Sequence, residues 1–594
     1  MHLVYNGGMK QEVEKLLKTV LAELDLGALG IIVTPTLDIA HGDYATNIAF
    51  QAAKKLGKSP LEAAEMICTA LSEKQSPIIE KIEVAKPGFV NITLKDSALI
   101  KDLSTEHKKL SLMNLGQDTS KFKSKKVMIE FTDPNPFKEF HIGHLYSNIV
   151  GESISRLQEE VGAEVKRVCY QGDVGLHVAK ALYGLQKKIS AEGLSISELE
   201  NKSLEDRVKL LGQAYSLGAT SYEDDEKAKA EIIVINKQVY DKDPGIMPLY
   251  EKGREWSLEY FEQIYKRLMH PKSQKAFTKY YFESEAAALG IDIVKQYIDT
   301  VFEESRGAVI FPGEKYGLHS RVFINSLGLP TYEAKELGLA ISKHADYQFD
   351  LSIMITGNEI DAYFKVLLKA LSMIEPELSA KMKHLSHGMV RLPEGKMSSR
   401  TGNVVTGQWL LDEAVRRADI KINEVKSEGG RVSDDNKADV SEMVGVGAVK
   451  WALLRASIGK DIEFSFDESV SLEGNSGPYL QYTYVRTRSV LEKAGNLSPQ
   501  TEPEIKLSAE ERSLLVLLSQ YQDIVLEASE KYSPSTLSTY LFQLAQEFNL
   551  FYQKHQILKE EDGVREFRLK LTEVVGQTIK NGLYLLGIEA PERM

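Results

Sequence analysis

Val127-Met128-Ile129-Glu130-Phe131, then Thr132-Asp133-Pro134-Asn135-Pro136-Phe137-Lys138-Glu139-Phe140-His141, then Ile142-Gly143-His144 and the residues up to Glu160, form the stretch that decides the fold. The first five residues are an apolar run of strand length, two prolines break the next segment, and the apolar positions from Ile142 to Glu160 recur at helical spacing. A second strand, 164–170, follows. Strand, helix and strand in that order make a βαβ unit, which predicts a parallel sheet and a Rossmann-like α/β domain. Ligands of such sheets bind at the carboxyl ends of the strands, so the loop 131–144 is the first candidate site.

Outward from this unit the chain divides. Strand signals return at 349–356, followed by a helix over 361–374, a strand near 385–390 and a polar loop, 393–402. The residues between, from Lys187 to about Glu303, read as charged helices without strands, an insertion that splits the sheet domain. Upstream, residues 10–110 read as a small α+β unit, with helices over 11–25, 45–56 and 60–73 and strands over 79–84 and 89–94; the lysine-rich 121–126 reads as a linker. From Trp409 to Met594 nearly every segment has helical period, among them 514–532 and 537–558, which predicts an all-α domain. Three domains are expected: 1–112, 122–408 with its insertion at about 187–303, and 409–594.

The 594 residues carry a net charge of -12, which argues against holding nucleic acid by bulk positive charge and restricts any RNA contact to local patches. One candidate is 264–281, where Lys266, Arg267, Lys272, Lys275 and Lys279 lie among aromatic residues without an acid; a solvated helix face reads equally well. Two cysteines, Cys68 and Cys169, allow neither a disulfide framework nor a thiolate zinc site, and the first 26 residues hold no apolar run long enough for a signal peptide or a membrane span. A cytoplasmic, multidomain enzyme is expected.

Chemistry concentrates in two loops. In the first, a helix N-terminus offers free N–H groups and the positive end of its dipole to phosphate oxygens, His141 and His144 add donors, and Gly143 lets a nucleotide approach the backbone. In the second, Pro393-Glu394-Gly395-Lys396-Met397-Ser398-Ser399-Arg400-Thr401-Gly402-Asn403, Lys396 and Arg400 can neutralise charge moving onto a leaving pyrophosphate. Either loop alone is more often a surface turn.

The pairing of His-Ile-Gly-His in the first half of an interrupted sheet with Lys-Met-Ser-Ser-Arg at the end of the second resembles the class I aminoacyl-tRNA synthetases, whose two signature loops flank bound ATP. Its flanks, Ile129 to Pro136, Tyr170-Gln171-Gly172-Asp173-Val174-Gly175, Tyr281-Phe282-Glu283-Ser284-Glu285 and Gly388 to Gly395, are similar in order and spacing to the arginyl-tRNA synthetases. Residues 41–47 and 87–91 resemble that family's N-terminal additional domain, and 477–482 and 586–594 its helical anticodon-binding domain.

The resemblance implies activation of L-arginine by ATP with Mg²⁺, transfer to the 3′ end of tRNA(Arg), and a monomer with no membrane association. By the same resemblance His141, Gly143, His144, Lys396, Ser398, Ser399 and Arg400 serve ATP. Lys138 stands in for the lysine that most class I enzymes have where this chain has Ser399, and the family activates its amino acid only with tRNA bound. Glu130, Asn135, Tyr332 and Glu336 would contact arginine, with Tyr332 reading almost as well as a core aromatic, and with Glu336 standing where the family commonly has aspartate. Gly357, Glu359, His387, Met389 and Val390 would hold the ribose and adenine, the last three through backbone groups, while Tyr44 and Asn47 would touch the tRNA elbow. A nucleotidylyltransferase also uses His-x-Gly-His but is usually shorter and lacks RNA-facing end domains; a non-catalytic RNA-binding paralogue would be expected to lose the signatures.

Overall fold

The structure, a computed structural model, describes residues 9–36, 41–112, 122–269, 275–392, 405–427, 436–495 and 505–594. The N-terminal unit packs α1 (Met9–Glu23), α2 (Ile48–Leu56), α3 (Pro60–Ser72) and α4 (Asp96–Leu112) with β1 (Val33–Pro35), β2 (Tyr44–Thr46), β3 (Ile79–Ala85) and β4 (Phe89–Leu94), an antiparallel sheet in the order β1-β2-β4-β3. Ser59 and Glu62 form a reciprocal cap around Pro60, which is why α3 starts there. The helix expected over 45–56 begins only at Ile48, because Tyr44, Ala45 and Thr46 pair with Ile92, Asn91 and Val90 of β4.

The second unit begins with β5 (Lys126–Glu130), α5 (Ile142–Glu160) and β6 (Glu164–Gln171). Five helices follow, α6 (Leu176–Glu192), α7 (Ile196–Glu200), α8 (Leu204–Asp224), α9 (Glu226–Tyr240) and α10 (Met247–Met269), and build a core of their own. The chain re-enters the sheet at β7 (Lys279–Phe282), which pairs in parallel with β6. The expectation of a strand-free stretch from Lys187 to Glu303 is therefore corrected. Four residues, Lys-Tyr-Tyr-Phe, are too few to show a period, and only the neighbouring strand identifies them. Then come α11 (Glu283–Gln296), a small antiparallel sheet of β8 (Glu303–Ser305), β9 (Ala308–Phe311) and β10 (Arg321–Ile324), α12 (Tyr332–Asp346), β11 (Leu351–Gly357), α13 (Asp361–Ile374), α14 (Pro376–Ala380), β12 (Met382–His387) and β13 (Val390–Arg391). The main sheet is parallel throughout, in the order β12-β11-β5-β6-β7.

The last unit holds α15 (Gly407–Ser427), α16 (Lys437–Leu454), the two-residue β14 (Ile462–Glu463) paired with β13, α17 (Phe466–Ser469), α18 (Gly477–Ala494), α19 (Ala509–Ser519), α20 (Tyr521–Lys531), α21 (Pro534–Lys554) and α22 (Asp562–Leu585). The single helix expected over 514–532 is two. Ser519 and Gln520 both donate side-chain hydrogen bonds to the Val516 carbonyl, which competes with the helical ladder at the break.

α5 ties these units together. Apart from Gly143 and Glu159 every residue of it is buried, since the sheet lies on one side and the helical unit on the other. Its polar residues bridge outward: Ser147 Oγ donates to the Ile355 carbonyl of β11 at 2.9 Å, Ser153 Oγ to Leu585 at 3.1 Å, and Arg156 to the Tyr584 and Met269 carbonyls at 2.9 and 2.8 Å. The N-terminal unit is fastened by Arg512 of α19, whose guanidinium forks onto Asp43 and also pairs with Asp96. In the candidate RNA patch, Arg267 pairs with Glu442 and Asp412, and Lys279 with Asp346, so these cations hold the protein's own helices.

Candidate active site

The loop after β5 is the most constrained backbone of the sheet edge. Thr132, Asp133 and Phe137 have φ of 82°, 44° and 67°, left-handed values that side chains avoid. Side chains hold them there: Ser147 Oγ accepts the Thr132 N–H at 2.9 Å, Asn148 donates to Thr132 Oγ1 at 2.9 Å, Asp133 accepts the Tyr170 N–H at 2.7 Å, and Ser257 Oγ accepts the Phe137 N–H at 2.9 Å.

His141 caps α5. Its Nδ1 accepts the Gly143 N–H at 3.1 Å, and the His144 Nδ1 accepts the His141 N–H at 3.4 Å, with the two rings stacked 3.5 Å apart. Burial and the positive charge of Lys138 lower the His141 pKa to about 4; burial, His141 and Lys138 hold His144 well below the ordinary imidazole value. Both rings are thus neutral near pH 7. With each Nδ1 accepting, each proton sits on Nε2, leaving two N–H donors beside the free amides of the helix start. The chain beyond the second signature returns to this point: Thr406 bridges His141, and the Gly407 N–H donates to the Phe140 carbonyl at 2.7 Å. Lys396, Ser398, Ser399 and Arg400 themselves lie outside the described residues.

Behind the first signature lies a cluster of carboxylates, Glu130, Asp133, Glu283 and Glu336. Lys343 Nζ donates to Glu130 Oε2 at 2.7 Å, and Lys335 pairs with Glu283, all four side chains being buried. Glu336 has no such partner. Burial and the neighbouring Glu130 raise its pKa to about 8, with Lys343 opposing the shift, and burial with Glu130 likewise raises Asp133 well above the usual range. Burial raises Glu283 to about 7 despite Lys335. The buried hydroxyls of Tyr170 and Tyr363, whose pKa values these carboxylates raise after burial itself, have no hydrogen-bond partner among the described residues. A carboxylate without an ion pair, Glu336, and two unpaired hydroxyls together suit a cation with several donors.

Asn135 joins this group through Gly172. A Cβ on Gly172 would lie 2.3 Å from Asn135 Oδ1 and 3.3 Å from Glu283 Oε1, so only glycine lets the two acceptors converge. Asp173 next to it is fully buried and accepts from the Ser284 N–H, Ser284 Oγ and Tyr250 hydroxyl at 2.9, 2.7 and 2.9 Å, which fixes the start of α11 and hence Glu283. Tyr332 opens α12 and is 54% exposed with Lys335 Nζ 4.5 Å over its ring, so it is no core aromatic.

The remaining expected residues fall at other places. Gly357 ends β11, with a Cβ there meeting the exposed Glu359 carboxylate. His387 ends β12 against Tyr146 at 4.4 Å; its Nδ1 donates to the Gly388 carbonyl at 2.8 Å and its buried Nε2 has no partner. The Met389 N–H is taken by Asp461 and its carbonyl accepts the Ile462 N–H with one lone pair left, while Val390 is buried in the pairing with β14. Asn47 is exposed with its side chain free of a capping bond. Tyr44 is wholly buried, its hydroxyl on Ser519 Oγ at 3.1 Å, so the expected RNA contact is replaced by an interdomain one. Sequence reasoning left Glu283, Lys335 and Lys343 unassigned; the spacing of Lys335 and Lys343, eight apart on one helix face, was the available signal.

Three family models match the chain: tRNA synthetases class I (R), catalytic domain, over 107–466; DALR anticodon binding domain over 480–594; and arginyl tRNA synthetase N terminal domain over 10–94. Among curated proteins, the arginine-tRNA ligase of Porphyromonas gingivalis is 31% identical over 574 residues, covering 93% of this chain and 94% of its own. That of Flavobacterium psychrophilum is 31% identical over 529 residues, 85% of each chain. Of solved structures, the Thermus thermophilus arginyl-tRNA synthetase aligns with a TM-score of 0.78 at 24% identity, over 99% of this chain and 100% of its own. The Plasmodium falciparum enzyme aligns at 0.76 and 19%, over 99% of both. At these identities the structural likeness speaks for the fold.

Proposed function

The chain belongs to the class I arginyl-tRNA synthetases, and from that membership we infer that it is an arginine-tRNA ligase: it activates L-arginine with ATP and transfers it to tRNA(Arg). An arginine carboxylate oxygen attacks the α-phosphorus of ATP, the bond to the β-phosphate oxygen breaks and pyrophosphate leaves. A terminal ribose hydroxyl of the tRNA then attacks the carbonyl of the mixed anhydride and AMP leaves. No protein nucleophile enters either step.

The observation that carries the arginine reading is the excess of carboxylate over cation at Glu130, Asp133, Glu283 and Glu336, with two lysines already in place. A guanidinium brings five donors in a plane and a fixed charge, which Glu336 and the free tyrosine hydroxyls match better than they match a point-like ammonium. Glu130, Asn135 and Tyr332 are proposed to complete the contact, Glu130 sharing itself between Lys343 and the substrate's α-amino group. His141, Gly143 and His144 are proposed to meet ATP phosphates, with Lys138, Lys396, Ser398, Ser399 and Arg400 stabilising the departing pyrophosphate. Gly357, Glu359 and the orphaned His387 Nε2, an acceptor suited to the adenine amino group, are proposed for the nucleoside, with Met389 and Val390 beside them. Mg²⁺ is read as part of the substrate, bound to the ATP phosphates.

Transfer RNA is proposed to engage Asn47 at the N-terminal unit and the helical unit, the functional division being 1–112, 122–408 and 409–594. A cytoplasmic monomer is proposed; no helix among the described residues is long and apolar enough to cross a membrane, and both cysteines are buried and free. The test is aminoacylation of tRNA by the purified protein with each of the twenty amino acids. Charging by arginine alone is expected, and charging by another amino acid in its place would overturn the assignment.

A further inference from the structure

The helical insertion meets the loop of the first signature at Phe137-Lys138-Glu139. Phe137 is fully buried in the insertion's own core, its ring stacked 6.0 Å from that of Tyr250. Lys138 Nζ lies 4.7 Å over the ring centroid of Tyr215 on α8. Glu139 rests against Gly212 of the same helix, where a Cβ would come within 3.1 Å of its Oε1. α8 is held rigidly: it crosses α6 backbone to backbone on both sides of Tyr215, Gly184 against the Ala214 carbonyl and Gly218 against the Lys180 carbonyl, and a Cβ at either glycine would lie 2.0 or 1.9 Å from that oxygen. The backbone that carries Tyr215 cannot shift without opening these crossings.

Lys138 is three residues before His141, and its charge is felt by His141, His144, His177 and Glu283, so the ammonium lies near both the first signature and the carboxylate cluster. A lysine there has a long flexible stem and several carboxylates to attract it. A carboxylate partner would neutralise it, whereas an aromatic face attracts the cation and leaves its full charge for another anion. We propose that Tyr215 is a positioning residue for adenylate formation: its ring holds the Lys138 ammonium, without an ion-pair partner among the described residues, beside the first signature. This rests on the reading that Lys138 stabilises pyrophosphate.

The test is tRNA-supported ATP-pyrophosphate exchange by the full chain. Tyr215→Leu is expected to lower kcat roughly 3- to 30-fold with the arginine KM little changed. Tyr215→Phe keeps the ring and most of the rate, and Tyr215→Leu costs nothing further in a Lys138→Ala background. Fluorinated phenylalanines at position 215, nearly unchanged in shape but with a weakened ring quadrupole, should lower kcat stepwise; this decides the matter even where the leucine variant folds poorly. A parental rate in Lys138→Ala would overturn the reading of Lys138 itself. A defective Lys138→Ala combined with a normal Tyr215→Leu, with additive losses in the double variant, or with no response to fluorination would overturn the role of Tyr215 alone.

Discussion

Glu336 faces Glu130 and Glu283, with Lys343 and Lys335 only partly offsetting them, and it keeps its proton up to about pH 8 in the free protein. A guanidinium needs the carboxylate, so arginine must displace that proton. The sign follows: below about pH 8 binding releases protons and the arginine KM rises as pH falls, by up to about tenfold per unit. Because the folded-state pKa is raised, this group stabilises the free protein at low pH and loses that contribution as pH climbs towards 8; saturating arginine removes the trend. Calorimetry at pH 7 in buffers of different ionisation enthalpy should show proton release, and Glu336→Gln should abolish the pH dependence of KM between 6.5 and 8.5. An unchanged profile in that variant would place the proton on another residue. Glu336 was legible four residues after Tyr332, but Glu283, Lys335 and Lys343 were not: a lysine on a helix face reads as solvated until the fold brings a buried carboxylate to it. Tyr44 misled for the opposite reason, since an aromatic after Gly42-Asp43 reads as an exposed turn and the surface that covers it lies far along the chain.

Among the elements, α5 and its preceding loop were the most legible, because a strand, a proline-broken loop and nineteen helical residues carry three separate signals. β7 and the break after Ser519 carry none in their own composition. The elements also frame the dependence on tRNA. β13 ends just before 393–404 and Thr406, just after it, bridges His141, while Lys138 rests on α8; with Ser399 in place of a lysine, Lys138 and the two cations of that one segment, Lys396 and Arg400, must converge on pyrophosphate. We expect little arginine-dependent exchange without tRNA and substantial exchange with it, a coupling bounded by the difference in tRNA affinity between open and closed loops. Lys138→Ala should be severely defective, and Ser399→Lys should restore part of the loss. Robust exchange in the parent without tRNA would refute the coupling.

For the whole molecule, the net charge of -12 argues against holding RNA by bulk charge and Arg267 and Lys279 are already paired with protein acids, which leaves the faces of the N-terminal and helical units as those proposed for the body of the tRNA. Those faces are not independent. The Asp43 side chain is 3% exposed and takes both Arg512 and the Leu94 N–H, so Asp43→Ala removes the forked partner of Arg512, leaving it Asp96, and should cost about 1 to 3 kcal/mol. Scanning calorimetry should then show the N-terminal unit melting ahead of the rest, and a single transition at the parental temperature would deny it this role. The three-domain outline was legible from composition, but the seam was not, because its partners are separated by 469 positions. That separation has a consequence in the order of synthesis. Asp43 and Tyr44 emerge from the ribosome long before Arg512 and Ser519 exist, so the nascent N-terminal unit waits with a carboxylate and a tyrosine meant for burial facing water. A chain stopped short of α19 keeps that face open for good, a ready mark by which quality control can distinguish an unfinished copy from a complete one.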